Sequence, residues 1–296
     1  MLNRRGSCDG ARGGFRQEGD VREDEFGDRM KGYEGLTNVQ LLPGVPVCAR
    51  LDGRGFHSFT KHAKHPFSDT FHSMMVAVTR HLVVESCATV GYTQSDEISL
   101  AWLDVPFFDG NPQKMCSTLA AMASVRLNLQ AFVTTSSDGT IGKCATHREA
   151  QSGLRWSSEP TFDCRAWVVP SLVEAANVFM WRQQDASRNS VQMAARHHFS
   201  HKACDNLNGK QLQEKLHAEA GINWNDYPTQ FKRGTFVKHA KTQRAFTPEE
   251  LADLPPLHDA RKDPSLVVER RVLVECDLDL RSIGDRAGAL FTDAVM

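Results

Sequence analysis

The stretch Val45-Pro46-Val47-Cys48-Ala49-Arg50-Leu51-Asp52-Gly53-Arg54-Gly55-Phe56-His57 joins a run of period-two alternation to a glycine-bracketed turn. Val45, Val47, Ala49 and Leu51 fall on one face and Cys48, Arg50 and Asp52 on the other, so the spacing predicts a strand that ends at Asp52, opposite the apolar face. Gly53 and Gly55 permit a sharp turn that exposes backbone N–H groups to an anion, and Asp52 offers a hard oxygen ligand to a cation such as Mg²⁺. An Asp-Gly pair beside a second glycine is also an ordinary turn signature. A metal site therefore requires a second carboxylate from elsewhere in the chain.

Downstream, Phe67, Phe71, Met74, Val78 and Leu82 recur at spacings of four and three, which predicts an amphipathic helix introduced by Pro66 and packed through that stripe as core. Thr89 to Gln94 and Ile98 to Leu103 read as two strands of a hairpin, with Asp96 and Glu97 at its tip. Pro112 opens a second helix whose apolar side holds Met115, Leu119, Met122, Val125, Leu129 and Phe132. Residues 136–160 read as a loop, and alternation resumes from Phe162 to Val169. The order strand, helix, strand, strand, helix, strand is the split βαβ, or ferredoxin-like, unit of an α+β fold. In that topology the first and third strands are central antiparallel neighbours, so Asp52 and Asp96 are brought together. Two such carboxylates beside a glycine turn suit a pair of divalent cations acting on a phosphate.

Upstream, residues 1 to about 24 are rich in Gly, Arg, Asp and Glu without periodicity and read as an extension, with Met30 an alternative start and a short helix near Asp28 to Glu34. Beyond the sheet, Ser171-Leu172-Val173-Glu174 is a capping box opening a helix through about His198. Lys210 to Ala220 is a further helix stopped by Gly221. Asn223 to Pro228 is turn chemistry, Thr235 to His239 is strand-like, and Leu266 to Cys276 reads as an edge strand or partner contact after a Pro-rich linker at Leu254-Pro255-Pro256.

At 296 residues, 41% hydrophobic and 24% charged, the chain has a globular composition. It lacks an apolar run of membrane-spanning length or a signal-peptide core, so the expected location is cytoplasmic with no membrane partner. Its eight cysteines form no C-x-x-C pair, which argues against a zinc ribbon or a disulfide framework and makes them small buried residues. A net charge of -1 leaves nucleic acid to be met by a local basic patch. Lys61, Lys64, Lys114 and Arg126 are candidates for neutralising phosphate, Lys114 foremost. His197 and His201 share a helix face but lack a third ligand, and Trp181-Arg182-Gln183-Gln184-Asp185 reads as a helix face of core Trp and exposed polar residues.

These motifs resemble, in order, those of the tRNA(His) guanylyltransferase family: Arg50 to His57, Gly91-Tyr92-Thr93-Gln94-Ser95-Asp96-Glu97, Phe162-Asp163-Cys164-Arg165, Trp181 to Asp185, Gly221-Ile222-Asn223-Trp224-Asn225-Asp226 and Lys232-Arg233-Gly234-Thr235. The resemblance spans roughly residues 24 to 280. It implies a polymerase-type palm at 25–170, a helical and C-terminal region at 171–296 packed on it, and nucleotide addition to a tRNA 5′ end in the 3′-to-5′ direction. It implies that Asp52, the Gly53 carbonyl and Asp96 bind two Mg²⁺. Backbone groups of Gly53, Arg54, Gly55, Phe56 and His57, with Ser95 and Lys114, would hold the nucleoside triphosphate, and Glu97 would support the site. ATP first activates the 5′-monophosphate, and the 3′-hydroxyl of GTP or another NTP then attacks it. The tRNA acceptor stem and a homotetramer are the implied partners.

The Trp-Arg-Gln segment departs from the eukaryotic pattern, with Ser187 at a histidine position and Ser190 at an asparagine position, and Cys164 replaces a Gly or Ala. This resembles the bacterial and archaeal guanylyltransferase-like branch, which favours template-dependent repair of 5′-truncated tRNAs. A non-catalytic RRM-like RNA-binding module is the competing reading from another class, but it calls for stacking aromatics where the central strands carry carboxylates and aliphatics. A nucleotide cyclase on the same palm is a third, distinguished by turning over NTP without RNA.

Overall fold

A computed structural model describes residues 25–61, 63–103, 107–135, 159–263 and 265–295. The segment 1–24 and nearly all of the 136–160 loop expected above lie outside the described residues. In chain order the elements are α1 (Glu25–Gly35), β1 (Val47–Arg54), α2 (Phe56–Phe59), α3 (Asp69–Glu85), β2 (Val90–Gln94), β3 (Glu97–Trp102), α4 (Pro112–Thr135), β4 (Thr161–Val168), α5 (Leu172–His198), α6 (His201–Cys204), α7 (Gly209–Ala220), α8 (Thr229–Arg233), β5 (Thr235–Ala245), α9 (Pro248–Asp253), α10 (Asp259–Lys262), β6 (Val267–Cys276), α11 (Arg286–Phe291) and β7 (Ala294–Val295).

The sheet runs β4-β1-β3-β2-β5-β6, with β7 alongside β5. Its first four strands have the ferredoxin-like order, with β1 antiparallel to both β3 and β4. The expected α+β palm is therefore the observed fold. Both faces are covered. Leu51, Ile98 and Leu100 pack against Met75, Leu82, Met115 and Leu119 of α3 and α4, while Cys48, Tyr92 and Phe236 pack against Ala176 and Phe179 of α5. Each large apolar side chain buried this way contributes about 1.5–3 kcal/mol, which fixes the sheet between its helices. β5 pairs with β2, so the C-terminal half extends the same sheet, and β6 takes the outer position expected of an edge strand.

Several local expectations are corrected. β1 continues past Asp52 to Arg54 because β4 pairs with it as far as Arg54 opposite Thr161. α3 starts at Asp69 rather than Pro66, because the Ser68 hydroxyl accepts the Phe71 N–H at 3.2 Å and caps the helix there. In α4 the buried line is Met115, Leu119, Ala123, Leu127 and Ala131, whereas Val125 and Leu129 are 60% and 53% exposed. Small alanines let the helix lie close on the sheet, and a reading weighted to large residues passes over them. The side chain of Phe132 lies outside the described residues. Cys48 and Cys204 are buried and free, but Cys87 is exposed and disulfide-bonded.

Candidate functional site

Antiparallel register sets the site. Asp52 on β1 lies directly opposite Glu97 on β3 and Asp163 on β4, so one row across three strands carries three carboxylates on the face towards α5. Asp96 joins them from the turn between β2 and β3. That turn holds two residues, Ser95 and Asp96, with Ser95 at φ 48°, and Glu97 belongs to the strand instead of the tip.

Gly53 is what lets the two halves meet. A Cβ at this position would lie 2.4 Å from the Phe56 ring and 2.9 Å from Asp96 Cβ, distances that real Cβ atoms do not tolerate. The bare backbone therefore gives Asp96 room beside Asp52. Gly55 then adopts the left-handed conformation at φ 76°, and α2 begins. Phe56 turns inward against Phe59, Phe71 and Phe162, while His57 stays exposed.

The three neighbouring acids are treated differently. Arg182 of α5, only 3% exposed, holds Glu97 through Nε at 3.1 Å and through Nη2, and its Nη2 also donates to Asp185 at 2.8 Å. Gln94 Nε2 adds a donor to Glu97 at 3.3 Å. Arg188 hydrogen bonds, with help from Arg182, hold the Asp185 carboxyl below its usual range. Glu97 is thus neutralised by the protein. Among the described residues Asp52 is paired only with Arg50, at 3.9 Å. Burial pushes the Asp96 carboxyl above its usual pKa, with the charges of Asp52 and Glu97 adding to the effect and the Ser95 and backbone hydrogen bonds opposing it. An acid raised in this way is short of positive charge.

The donor set fits a small hard cation. No three His, Cys, Asp or Glu side chains among the described residues converge to hold a metal unaided. Mg²⁺ does not require that, since one or two carboxylates suffice when water and substrate phosphates complete its shell. Asp96, set close to Asp52 across the bare Gly53 backbone, meets this need with two carboxylates and the Gly53 carbonyl.

Ser95, Asp96 and Glu97 line one side of a cleft of about 880 Å³. His57, Lys64 and His65 line a second side, Asn189, Arg196 and His197 of α5 a third, and Phe67, Phe71, His72 and Phe231 supply an aromatic wall. Sequence reasoning gave Lys64 no precedence, yet it is the lysine in this lining. Lys114 is not brought there. β3 runs away from the Asp96 turn, so α4 starts at the opposite end of the sheet and reaches the β4 start further along, where Ser124 accepts the Phe162 N–H at 3.0 Å and Asn128 donates to the Pro160 carbonyl at 3.1 Å. The ten-residue step from Lys114 to Ser124 spans about 15 Å of helix. Lys61, Arg126, Asp52, Gly53, Arg54 and Gly55 also lie outside the lining, whereas Phe56, His197 and His201 are in it.

Two participants were missed. Arg182 is buried and Trp181 is 47% exposed, the reverse of the expected helix face. The signal was available, because Arg182 and Gln183 fall three and four residues after Phe179 on the buried stripe. Asp163 becomes a neighbour of Asp52 only through register, which no local pattern shows.

Comparison with known proteins decides the lineage. Residues 27–170 match the model of the Thg1 family, tRNAHis guanylyltransferase. The structure of a bacterial tRNA(His) guanylyltransferase (Thg1)-like protein in complex with ATP is 36% identical, with a TM-score of 0.62, over 72% of this chain and 88% of that one. The chain belongs to the tRNA(His) guanylyltransferase family. A bacterial Thg1-like protein in complex with GTP is 30% identical at a TM-score of 0.58, over 84% of this chain and 91% of that one. The tRNA(His) guanylyltransferase of Schizosaccharomyces pombe is 28% identical over 222 residues, 70% of this chain and 77% of the yeast protein. As a member of the tRNA(His) guanylyltransferase family, the chain is a nucleotidyltransferase enzyme. No helix among the described residues is long and apolar enough to cross a membrane.

Proposed function

We propose that this enzyme adds GMP or another NMP to the 5′ end of a tRNA in the 3′-to-5′ direction, after ATP-dependent activation of the 5′-phosphate. The observation that carries this reading is the closeness of Asp52 to Asp96 across Gly53, with Asp96 itself lining a cleft large enough for a nucleotide. Asp52, Asp96 and the Gly53 carbonyl would hold two Mg²⁺, which supply charge neutralisation and orientation of phosphate oxygens when bound. The first turn of α2 leaves the N–H groups of Phe56 and His57 without intrahelical acceptors, and with Ser95 and Lys64 they would take the triphosphate. Glu97, tied to Arg182, keeps the β2–β3 turn in place.

The chemistry needs positioning more than a protein nucleophile. Pyrophosphate leaves when the tRNA 5′-phosphate takes AMP from ATP. The 3′-hydroxyl of the incoming NTP then forms the new phosphodiester as AMP departs. Template-directed repair of truncated tRNAs is favoured over untemplated marking of tRNA(His). In place of the eukaryotic His and Asn, Ser187 Oγ donates to the Lys232 carbonyl at 3.0 Å and Ser190 Oγ to the Ser187 carbonyl at 3.0 Å, so both hydroxyls are used within the fold. A cytoplasmic tetramer is the accompanying expectation.

The test offers tRNAs with matched and mismatched 5′ ends together with each labelled NTP and Mg²⁺. Incorporation at the 5′ end that follows the opposing base supports repair, and G addition irrespective of that base supports identity marking. NTP turnover without RNA, or tRNA binding unchanged in EDTA with no NTP consumed, would sink the transferase reading.

A further inference from the structure

The inner wall of the cleft holds a hydrogen-bonded chain that phosphate chemistry does not use. His72, in the first turn of α3, lines the cleft with its Nε2 3.2 Å from Thr235 Oγ1, and Thr235 Oγ1 donates in turn to Asp277 Oδ1 at 3.4 Å. A hydroxyl has one proton to give, and the carboxylate is the stronger acceptor. Thr235 is then left to accept from His72, so Nε2 carries the ring hydrogen and Nδ1 presents a lone pair. Burial holds the imidazole below its ordinary pKa in spite of the charges of Asp277, Asp69 and Glu275, in keeping with this neutral tautomer.

The surroundings are flat and aromatic. Phe231 meets His72 edge-on at 5.8 Å and lies parallel to Phe67 at 5.0 Å, with Tyr227 against the far side of the pair. Such a wall suits a planar base. Its distance from the carboxylates is also suitable. Thr235 opens β5, which stands three strands from Asp52 on β1, about 14 Å at normal strand spacing, and directly beside β2, which leads into the Asp96 turn. A nucleotide with phosphates at Asp52 and Asp96 would lay its base along this wall.

We propose that His72 Nδ1 is the acceptor that reads an N–H donor on the base of the bound nucleotide, so that the cleft selects bases carrying an amino or imino hydrogen. This rests on the nucleotide-transfer reading above. His72 is thereby a specificity residue, and Thr235 and Asp277 are positioning residues that set its tautomer.

The experiment measures equilibrium binding of ATP, GTP and purine riboside 5′-triphosphate, whose base has no N–H, to the full chain in Mg²⁺. The unaltered protein is expected to bind the better of ATP and GTP about tenfold more tightly than purine riboside triphosphate, the weight of one hydrogen bond. His72→Phe keeps an aromatic ring beside Phe231 and should bind all three within about twofold of one another, with competition by inorganic tripolyphosphate unchanged. Thr235→Val removes the tautomer lock at constant shape and should lose part of the discrimination, which provides a second measurement if His72→Phe folds poorly. Full discrimination retained in either variant overturns the proposal while leaving nucleotide transfer standing. Failure of the unaltered protein to bind any of the three triphosphates overturns both.

Discussion

Two parts of one carboxylate row behave in opposite ways. Glu97 is enclosed by the Arg182 fork, Asp185 and Gln94, and its charge is answered inside the protein. Asp52, one strand away, has a guanidinium at 3.9 Å, while Asp96, beside Glu97 in the turn, has local hydrogen bonds and a carboxyl that burial raises. The fold could have neutralised all three, since α5 covers the same face. That the Arg182 fork holds Glu97 alone of the three divides these acids into an anchored one and two without such a fork among the described residues. A structural ion pair holds the turn, and the proposed metal-binding pair beside it keeps no such partner of its own.

The largest effect should come from the functional side. Asp52→Ala or Asp96→Ala is expected to lower labelled NTP incorporation into 5′-truncated tRNA by about a thousandfold or more, with the circular dichroism of the unaltered protein retained. Full activity in either variant would end the site assignment. On the anchoring side, Arg182→Ala leaves Glu97 buried without its partner and should destabilise the chain by about 3–5 kcal/mol in urea titrations. Pairing it with Glu97→Gln should recover part of that loss, and an additive double variant would show that the two residues do not form a unit.

A methyl group tests the boundary between the two parts. Gly53→Ala forces the Phe56 ring and the Asp96 turn apart, and an overpacking cost of about 1–3 kcal/mol is expected together with weaker Mg²⁺ activation. Unaltered Mg²⁺ dependence would mean that Asp96 needs no contact with β1.

The smallest effect concerns pH. The folded-state pKa of Asp96 lies above its unfolded value, so ionising it costs stability that is lost as pH rises from the unfolded pKa through the folded one. Asp96→Asn in EDTA should therefore melt slightly higher than the parent at neutral pH, and the gap should close below the ordinary carboxylate range. The same substitution is expected to abolish activity, so stability and function would move in opposite directions at this residue. A gap that widens on acidification would contradict the assigned sign.

The strand at 47–54, the hairpin, the helices and the ferredoxin-like order were legible in the sequence, because periods of 2 and 3.6 mark which face each segment buries. The juxtaposition of Asp52 with Asp96 followed from that order. Element limits were less legible, since Ser68 and the β4 partner, and not Pro66 or Gly53, set where α3 begins and β1 ends. Arg182 was readable in principle from its place on the stripe after Phe179, but its charge argued for the surface until Glu97 was seen opposite it.

What the sequence determined by itself is which residue types recur at helical and strand periods, and thus the topology and the pair of carboxylates. Only the tertiary structure decided which acid is neutralised, which lysine reaches the cleft, and that His72, Thr235 and Asp277 form one chain. Those outcomes depend on contacts between residues as many as 163 positions apart, from His72 to Thr235, and on strand register, neither of which leaves a local trace.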